Sequence, residues 1–240
     1  MKTIGLIGGM SWESSAQYYR IINQAVRDRC GGAHSAQLLL YSLDFAAVQR
    51  LQHDGDWDAL AQLMADAARR LEAGGADMIL LCTNTMHRVA DAITASVAVP
   101  LLHIADATGA AITAAGHTRV GLLGTAFTME QPFYRDRLAE RFGLDVLVPD
   151  TADRATVHRI IYDELVAGRI VDASRAAYRN VIARLVARGA QAIILGCTEI
   201  MLLVGAGDSA VPLFDTTTLH ALAAVDAALA SPAPPPHPET

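Results

Sequence analysis

Cysteine is scarce in this chain, with three in 240 residues and no C-x-x-C pair. A small, odd number fits a reducing compartment and excludes a disulfide framework, a zinc ribbon or a dithiol redox motif. Long apolar runs are missing as well. Although 52% of residues are apolar, no stretch reaches the ~20 needed to span a bilayer, and the opening MKTIGLIGGM is too short in apolar residues for a signal peptide. A cytoplasmic protein is expected. The formal charge is −6 with acidic residues scattered along the chain. No basic stripe could follow a phosphate backbone or an anionic lipid surface, so neither nucleic acid nor membrane is expected as a partner. Trp12, Trp57 and Tyr41 have nothing beside them that suggests base stacking. His34, His53, His103, His117, His158 and His220 show no H-x-x-x-H or similar spacing, and no metal is expected. The glycines of GLIGGM lack the G-x-G-x-x-G order and the Lys-Ser/Thr of a P-loop, which argues against a nucleotide.

What the chain does contain is a repeat. GADMILLCTNT at Gly75–Thr85 and GAQAIILGCTE at Gly189–Glu199 read almost alike, and IGLIG at Ile4–Gly8 returns as VGLLG at Val120–Gly124. A tyrosine, Tyr18 or Tyr134, follows ten residues after the last Gly of each glycine motif. Cys82 stands 77 positions beyond Gly5, and Cys197 stands 76 beyond Gly121. A period of about half the chain means a duplicated half, not a solenoid of short repeats.

Short β-rich runs (TIGLIG, AQLLLYSL, ADMILLC, VPLLHI, RVGLLG, LDVLVP, QAIILGC, VPLF) alternate with helical patterns such as 58–73 and 174–188. That alternation predicts an α/β protein with parallel sheets buried on both faces. LEAGGAD and LVARGAQ place Gly at the helix end before each cysteine strand, as a left-handed C-cap requires. The expected organisation is a first domain of 1–100 with 211–230, a second of 101–210, and a Pro-rich disordered tail at 231–240.

In open α/β sheets ligands gather at the carboxyl ends of strands, where both Cys82 and Cys197 stand. The short polar residues after them, Thr83, Asn84, Thr85, Thr198 and Glu199, suit helix starts, whose positive dipole end would lower a thiol pKa. A single cysteine at a strand end is commonly just a small buried hydrophobe. Two at equivalent points of a repeat favour function, because duplication brings them to opposite walls of one cleft. Facing thiols suit racemisation, in which one base lifts a proton from a tetrahedral carbon and an acid returns one to the other face. Glu199 either supports Cys197 or simply complements the helix start. His87 is read as bonded to a neighbouring carbonyl, and Cys30, without a repeat partner, as inert.

GLIGGMSWESS, LCTNTMH and GCTEI together closely resemble the aspartate/glutamate racemase family, which works without pyridoxal phosphate. The likeness runs from about Lys2 to Ala230. It implies two flavodoxin-like three-layer domains with the substrate between them, a homodimer, no cofactor, and Cys82 and Cys197 as the catalytic pair. It also implies that Thr83, Asn84, Thr85 and Thr198 hold the α-carboxylate and amino group of an amino-acid substrate, with Met10 and Gln52 lining the pocket. Met10-Ser11 and Glu199 place the chain nearer the aspartate-type and broad-specificity branch than glutamate racemase. The basic position that aspartate-specific members use is neutral around LDFAAVQRLQ, with Arg50 close by, and DELVAGRI offers Arg169 where those members have lysine.

Two other functions share these features. One is a single-cysteine isomerase or decarboxylase of dicarboxylic acids in the same superfamily. The other is a non-catalytic amino-acid sensor, since two α/β lobes around a cleft also describe hinged binding proteins.

Overall fold

The computed structural model describes residues 1–230. The Pro-rich segment 231–240, expected to be disordered, lies outside them. Each of the eight apolar runs contains a strand: β1 (Ile4–Gly8), β2 (Leu38–Ser42), β3 (Met78–Leu81), β4 (Leu101–Leu102), β5 (Arg119–Gly124), β6 (Asp145–Leu147), β7 (Ala192–Gly196) and β8 (Leu213–Asp215). They form two wholly parallel sheets, in the orders β2-β1-β3-β4 and β6-β5-β7-β8. The 2-1-3-4 order, used twice, is that of a flavodoxin-like sheet. Among the described residues no helix is long and apolar enough to cross a membrane.

Strands β1, β3 and β7 are buried along their whole length, and β5 from Val120 onward, because helices cover both faces. In β3 the alternation of the pleat sends Ile79 and Leu81 to the core beneath helix Trp57–Ala73, and Met78 and Leu80 to the opposite core. Cys82 joins Met78 and Leu80, packed with Tyr18, Ile22 and Val26 of helix Trp12–Cys30. The recurring glycine motif has a packing cause. A Cβ on Gly5 would lie 2.9 Å from the Ala76 Cβ, and one on Gly121 would lie 2.7 Å from Ile193 Cδ1. The helices before β3 and β7 end on Gly75 and Gly189, both at φ +94°, where a side chain would be strained. Tyr18 and Tyr134 are both fully buried.

Hydrogen-bond register gives the duplication its true phase. Gly5 pairs with Ile79 and Gly121 with Ile193, so Leu81 answers to Leu195, Cys82 to Gly196 and Thr83 to Cys197. This corrects the sequence reading that matched Cys82 with Cys197. The letters CT recur in both copies, but the backbone places the first of them one residue earlier.

The division of the chain also differs from the expected one. β4 pairs with β3 in the first sheet, and β8 pairs with β7 in the second, so the two VPL strands close their own sheets symmetrically. The chain therefore crosses into the second half at helix Ile104–Ala114, after residue 102, and returns only with helix Thr216–Leu229. Of the segment 211–230 assigned to the first half, the helix alone goes there. Its Ala221, Ala224, Val225 and Ala228 share a core with Ile4, Leu6 and Tyr18.

Candidate active site

The carboxyl ends of β1 and β3 face those of β5 and β7 across a cleft. Met10, Phe45, Gln52, Thr83, Asn84 and Thr85 line it from the first half. The second half contributes Thr125, Ile161, Tyr162, Val166 and the run Gly196–Glu199. All the expected binding residues (Met10, Gln52, Thr83, Asn84, Thr85 and Thr198) are here, as are Cys197 and Glu199. Cys82 is not. It is fully buried in the core between β3 and helix Trp12–Cys30, as expected of a residue at the register position of Gly196.

Cys197 sits in a charge-assisted network. Its Sγ donates to Glu199 Oε2 at 2.9 Å, and Thr198 Oγ1 donates to the same oxygen at 2.9 Å. Oε1 receives Ser11 Oγ at 2.8 Å and the Ser11 backbone N–H at 3.2 Å. Four donors thus converge on one buried carboxylate, two of them from the other half of the molecule, filling the acceptor capacity of its oxygens. Burial pushes the Cys197 thiol well up, and the neighbouring Glu199 charge pushes it further; Cys82 is pushed up by burial. The expected helix-dipole lowering does not prevail. The helical segments after the two motifs are only Thr85–Val89 and Ile200–Leu203, too short to develop much of a dipole, while the low-dielectric surroundings disfavour any thiolate. Cys197 therefore rests as a thiol whose proton already points at a carboxylate.

The walls are stitched together. Thr85 Oγ1 lies 2.9 Å from Thr125 Oγ1, and Tyr162 Oη donates to Gln52 Oε1 at 3.2 Å. Asn84 Nδ2 donates to Thr216 Oγ1 at 3.0 Å, leaving Asn84 Oδ1 buried and without a partner among the described residues. The free space between the walls is about 20 Å³, room for about one water and less than an amino acid fills. Outside the Gln52–Tyr162 pair a wider cleft of about 220 Å³ opens, lined also by Gln49, His53, Phe127 and His158. No Lys, Arg or His lines the inner cavity. Arg50 and Arg169 are solvent-exposed.

The model of the Asp/Glu/Hydantoin racemase family matches residues 7–224. The chain belongs to that family. Over 236 residues (95% of this chain and 98% of the other) it is 24% identical to the broad specificity amino-acid racemase RacX of Bacillus subtilis (strain 168). A Yersinia pestis protein described as a candidate Asp/Glu racemase is 57% identical and superposes with a TM-score of 0.89, covering 96% of this chain and 100% of that one. An aspartate racemase homologue from Pyrococcus horikoshii OT3 is 33% identical, with a TM-score of 0.81 and coverages of 95% and 99%.

Several residues at this racemase-family site escaped the sequence reading. Ser11 lies within the quoted GMSWESS, but nothing in the sequence ties it to Glu199, 188 positions away. Thr125, which follows the second glycine motif, could have been found by extending the repeat. Phe45, Ile161, Tyr162 and Val166 carry no motif; only folding brings them to the cleft.

Proposed function

We propose that this family member is an amino-acid racemase that needs no pyridoxal phosphate and moves protons between the Cys197 and Thr83 walls of the cleft. The observation that carries this reading is the register. The one thiol in the cavity and the Thr83 hydroxyl occupy duplicated positions in opposite halves, as transfer to the two faces of one α-carbon needs. Glu199 accepts the Cys197 proton, and the resulting thiolate lifts the α-hydrogen of the enantiomer that presents it. The Thr83 hydroxyl then gives its proton to the opposite face, a role for which a weak acid suffices because the carbanion is a strong base. The alkoxide left behind regains a proton from water as Glu199 releases the one it took, while the reverse direction runs through that same alkoxide as the base. Thr85 and Thr125 supply hydroxyl donors for the α-carboxylate, Thr198 keeps its hydroxyl on Glu199, and the free Asn84 Oδ1 is an acceptor for the amino group. The two-cysteine pairing inferred from the family resemblance does not suit this geometry, since Cys82 would have to leave its core.

The cavity carries no cation for a side-chain carboxylate, which favours a broad or neutral substrate range over strict aspartate or glutamate preference. Incubating the purified protein with single L- and D-amino acids in D₂O, without pyridoxal phosphate, tests the reading. Deuterated product of opposite configuration is expected, and no inversion and no α-deuterium across the common amino acids would overturn it.

The presence of one thiol in the cavity, Cys197, also fits a single-cysteine isomerase or decarboxylase of dicarboxylic acids. The absence of a lining cation counts against a doubly charged substrate. Release of CO₂ or formation of a geometric isomer from dicarboxylates in the same assay would favour it.

A further inference from the structure

Three buried histidines meet where the chain passes between the halves. The His87 ring centroid lies 4.3 Å from that of His103 and 6.0 Å from that of His220. Their hydrogen bonds fix the protons. His220 Nε2 is 2.8 Å from the Leu102 carbonyl, which can only accept. Nε2 therefore carries the hydrogen, and Nδ1 accepts from Tyr18 Oη at 2.8 Å. His87 is the reverse. Its Nε2 accepts the Ile104 backbone N–H at 3.2 Å, so Nδ1 carries the hydrogen and donates to the Thr83 carbonyl at 2.7 Å. One rigid ring thus joins the Thr83 peptide to the first residue of the helix by which the chain enters the second half. His87 does not line the inner cavity.

The other half lacks this device. The register that equates Thr83 with Cys197 equates His87 with Met201, which has neither a donor nor a comparable acceptor. There the corresponding strand end is steadied by the Glu199 side chain instead. The tie is specific to the Thr83 wall, and it runs to the segment by which the chain crosses between the halves.

We propose that His87 is a positioning residue for the Thr83 half of the reaction, holding the Thr83–Asn84 peptide in register with the crossing so that the Thr83 hydroxyl is aligned in the cleft. A ring that donates at one edge and accepts at the other is required. An apolar substitute leaves the Ile104 N–H and the Thr83 carbonyl unpaired in a dry interior, whereas glutamine has one donor and one acceptor end to offer.

The proposal rests on the racemase reading with Thr83 and Cys197 serving opposite faces, and the test separates the two. Deuterium wash-in at the α-carbon is measured for each enantiomer with the wild type and with Thr83→Val, His87→Phe, His87→Gln and His87→Asn, alongside melting temperatures. Thr83→Val identifies the enantiomer served by the Thr83 wall. His87→Phe is expected to slow exchange of that same enantiomer by about tenfold or more, through misplacement of an aligned group, and to leave the other within about twofold. His87→Gln should recover most of the loss, with KM nearly unchanged. Equal slowing of both enantiomers, or no slowing of either in a folded variant, overturns the proposal. If His87→Phe does not fold, His87→Gln and His87→Asn decide it by the same comparison: a smaller loss confined to the Thr83-side enantiomer supports it, and loss shared by both, or by neither, does not. A Thr83→Val variant that slows both enantiomers alike removes the functional reading itself, whatever His87 does.

Discussion

The ends of β3 and β7 are the same structure built twice and then specialised apart. At β7 the atom proposed to react is a thiol, Cys197 Sγ, hydrogen-bonded to a buried carboxylate two residues on. At β3 the register-equivalent residue is Thr83, whose carbonyl accepts a hydrogen bond from the His87 ring, the tie proposed above to position its hydroxyl. A thiol can pass its proton to an adjacent carboxylate when the substrate is in place, even though burial and that charge keep it protonated at rest, whereas a threonine hydroxyl is a far weaker acid. Duplication supplies two walls around one carbon, and divergence can make one wall the stronger base.

The severest way to break the comparison is Cys197→Ser. It should lower racemisation by about a thousandfold or more, because no residual group in the cavity can form a resting base of comparable strength; chiral separation of products measures it. Thr83→Val comes next, abolishing inversion while one enantiomer keeps α-hydrogen exchange. Thr83→Cys tests symmetry from the other side and should retain both exchanges. Since the equilibrium constant between enantiomers is one, kcat/KM in the two directions must agree, so exchange without inversion is the revealing quantity. Glu199→Gln keeps the shape but not the proton acceptor, and should slow exchange on the Cys197 side by about a hundredfold.

The legible part of this site was the part written in runs and motifs. Continuous Ile/Leu/Val stretches gave all eight strands, and Gly75 and Gly189 marked two helix ends. CTNT and CTE marked the correct strand ends to within one residue. That residue mattered. Repeated letters matched Cys82 with Cys197, while hydrogen-bond register, set by Gly5 and Gly121 against their neighbours, matches Thr83 with it. Ser11, Tyr162 and the His87–Ile104 tie are long-range contacts with no local signal. The thiol pKa runs opposite to the helix-start expectation because the helical segments that follow are short and burial, weighed in the sequence only as a sign of an inert cysteine, dominates.

A smaller effect separates the halves by acid. Burial lowers His220 to about 4 and His103 to about 3, and lowers His87 well below its usual value. The unfolded chain, with histidines near 6.5, binds more protons across this window, so stability is full above about pH 6.5 and falls as pH drops toward 4. His103→Asn replaces the ring Nδ1 that caps the Ala105 N–H with an amide oxygen and removes one titrating site. The pH dependence of unfolding near pH 5 should lose a slope of up to about one proton. Smallest of all is Cys82→Ala, which should cost about 1 kcal/mol of stability and leave racemisation within about twofold, as thermal melts and the same chiral assay would show. A catalytic loss as large as that of Cys197→Ser would restore the two-cysteine reading and dissolve the asymmetry drawn here.

The returning helix Thr216–Leu229 has one more consequence, for how the molecule is made. Its alanines and Val225 complete the core around Ile4, Leu6 and Tyr18, so one side of the first sheet is covered only by a helix made after the whole second sheet. The second sheet, with β5 through β8 contiguous in the chain, can assemble without that delay. The first sheet is thus begun before the second and finished after it, and during that interval its open apolar face is the natural target for chaperones or for aggregation.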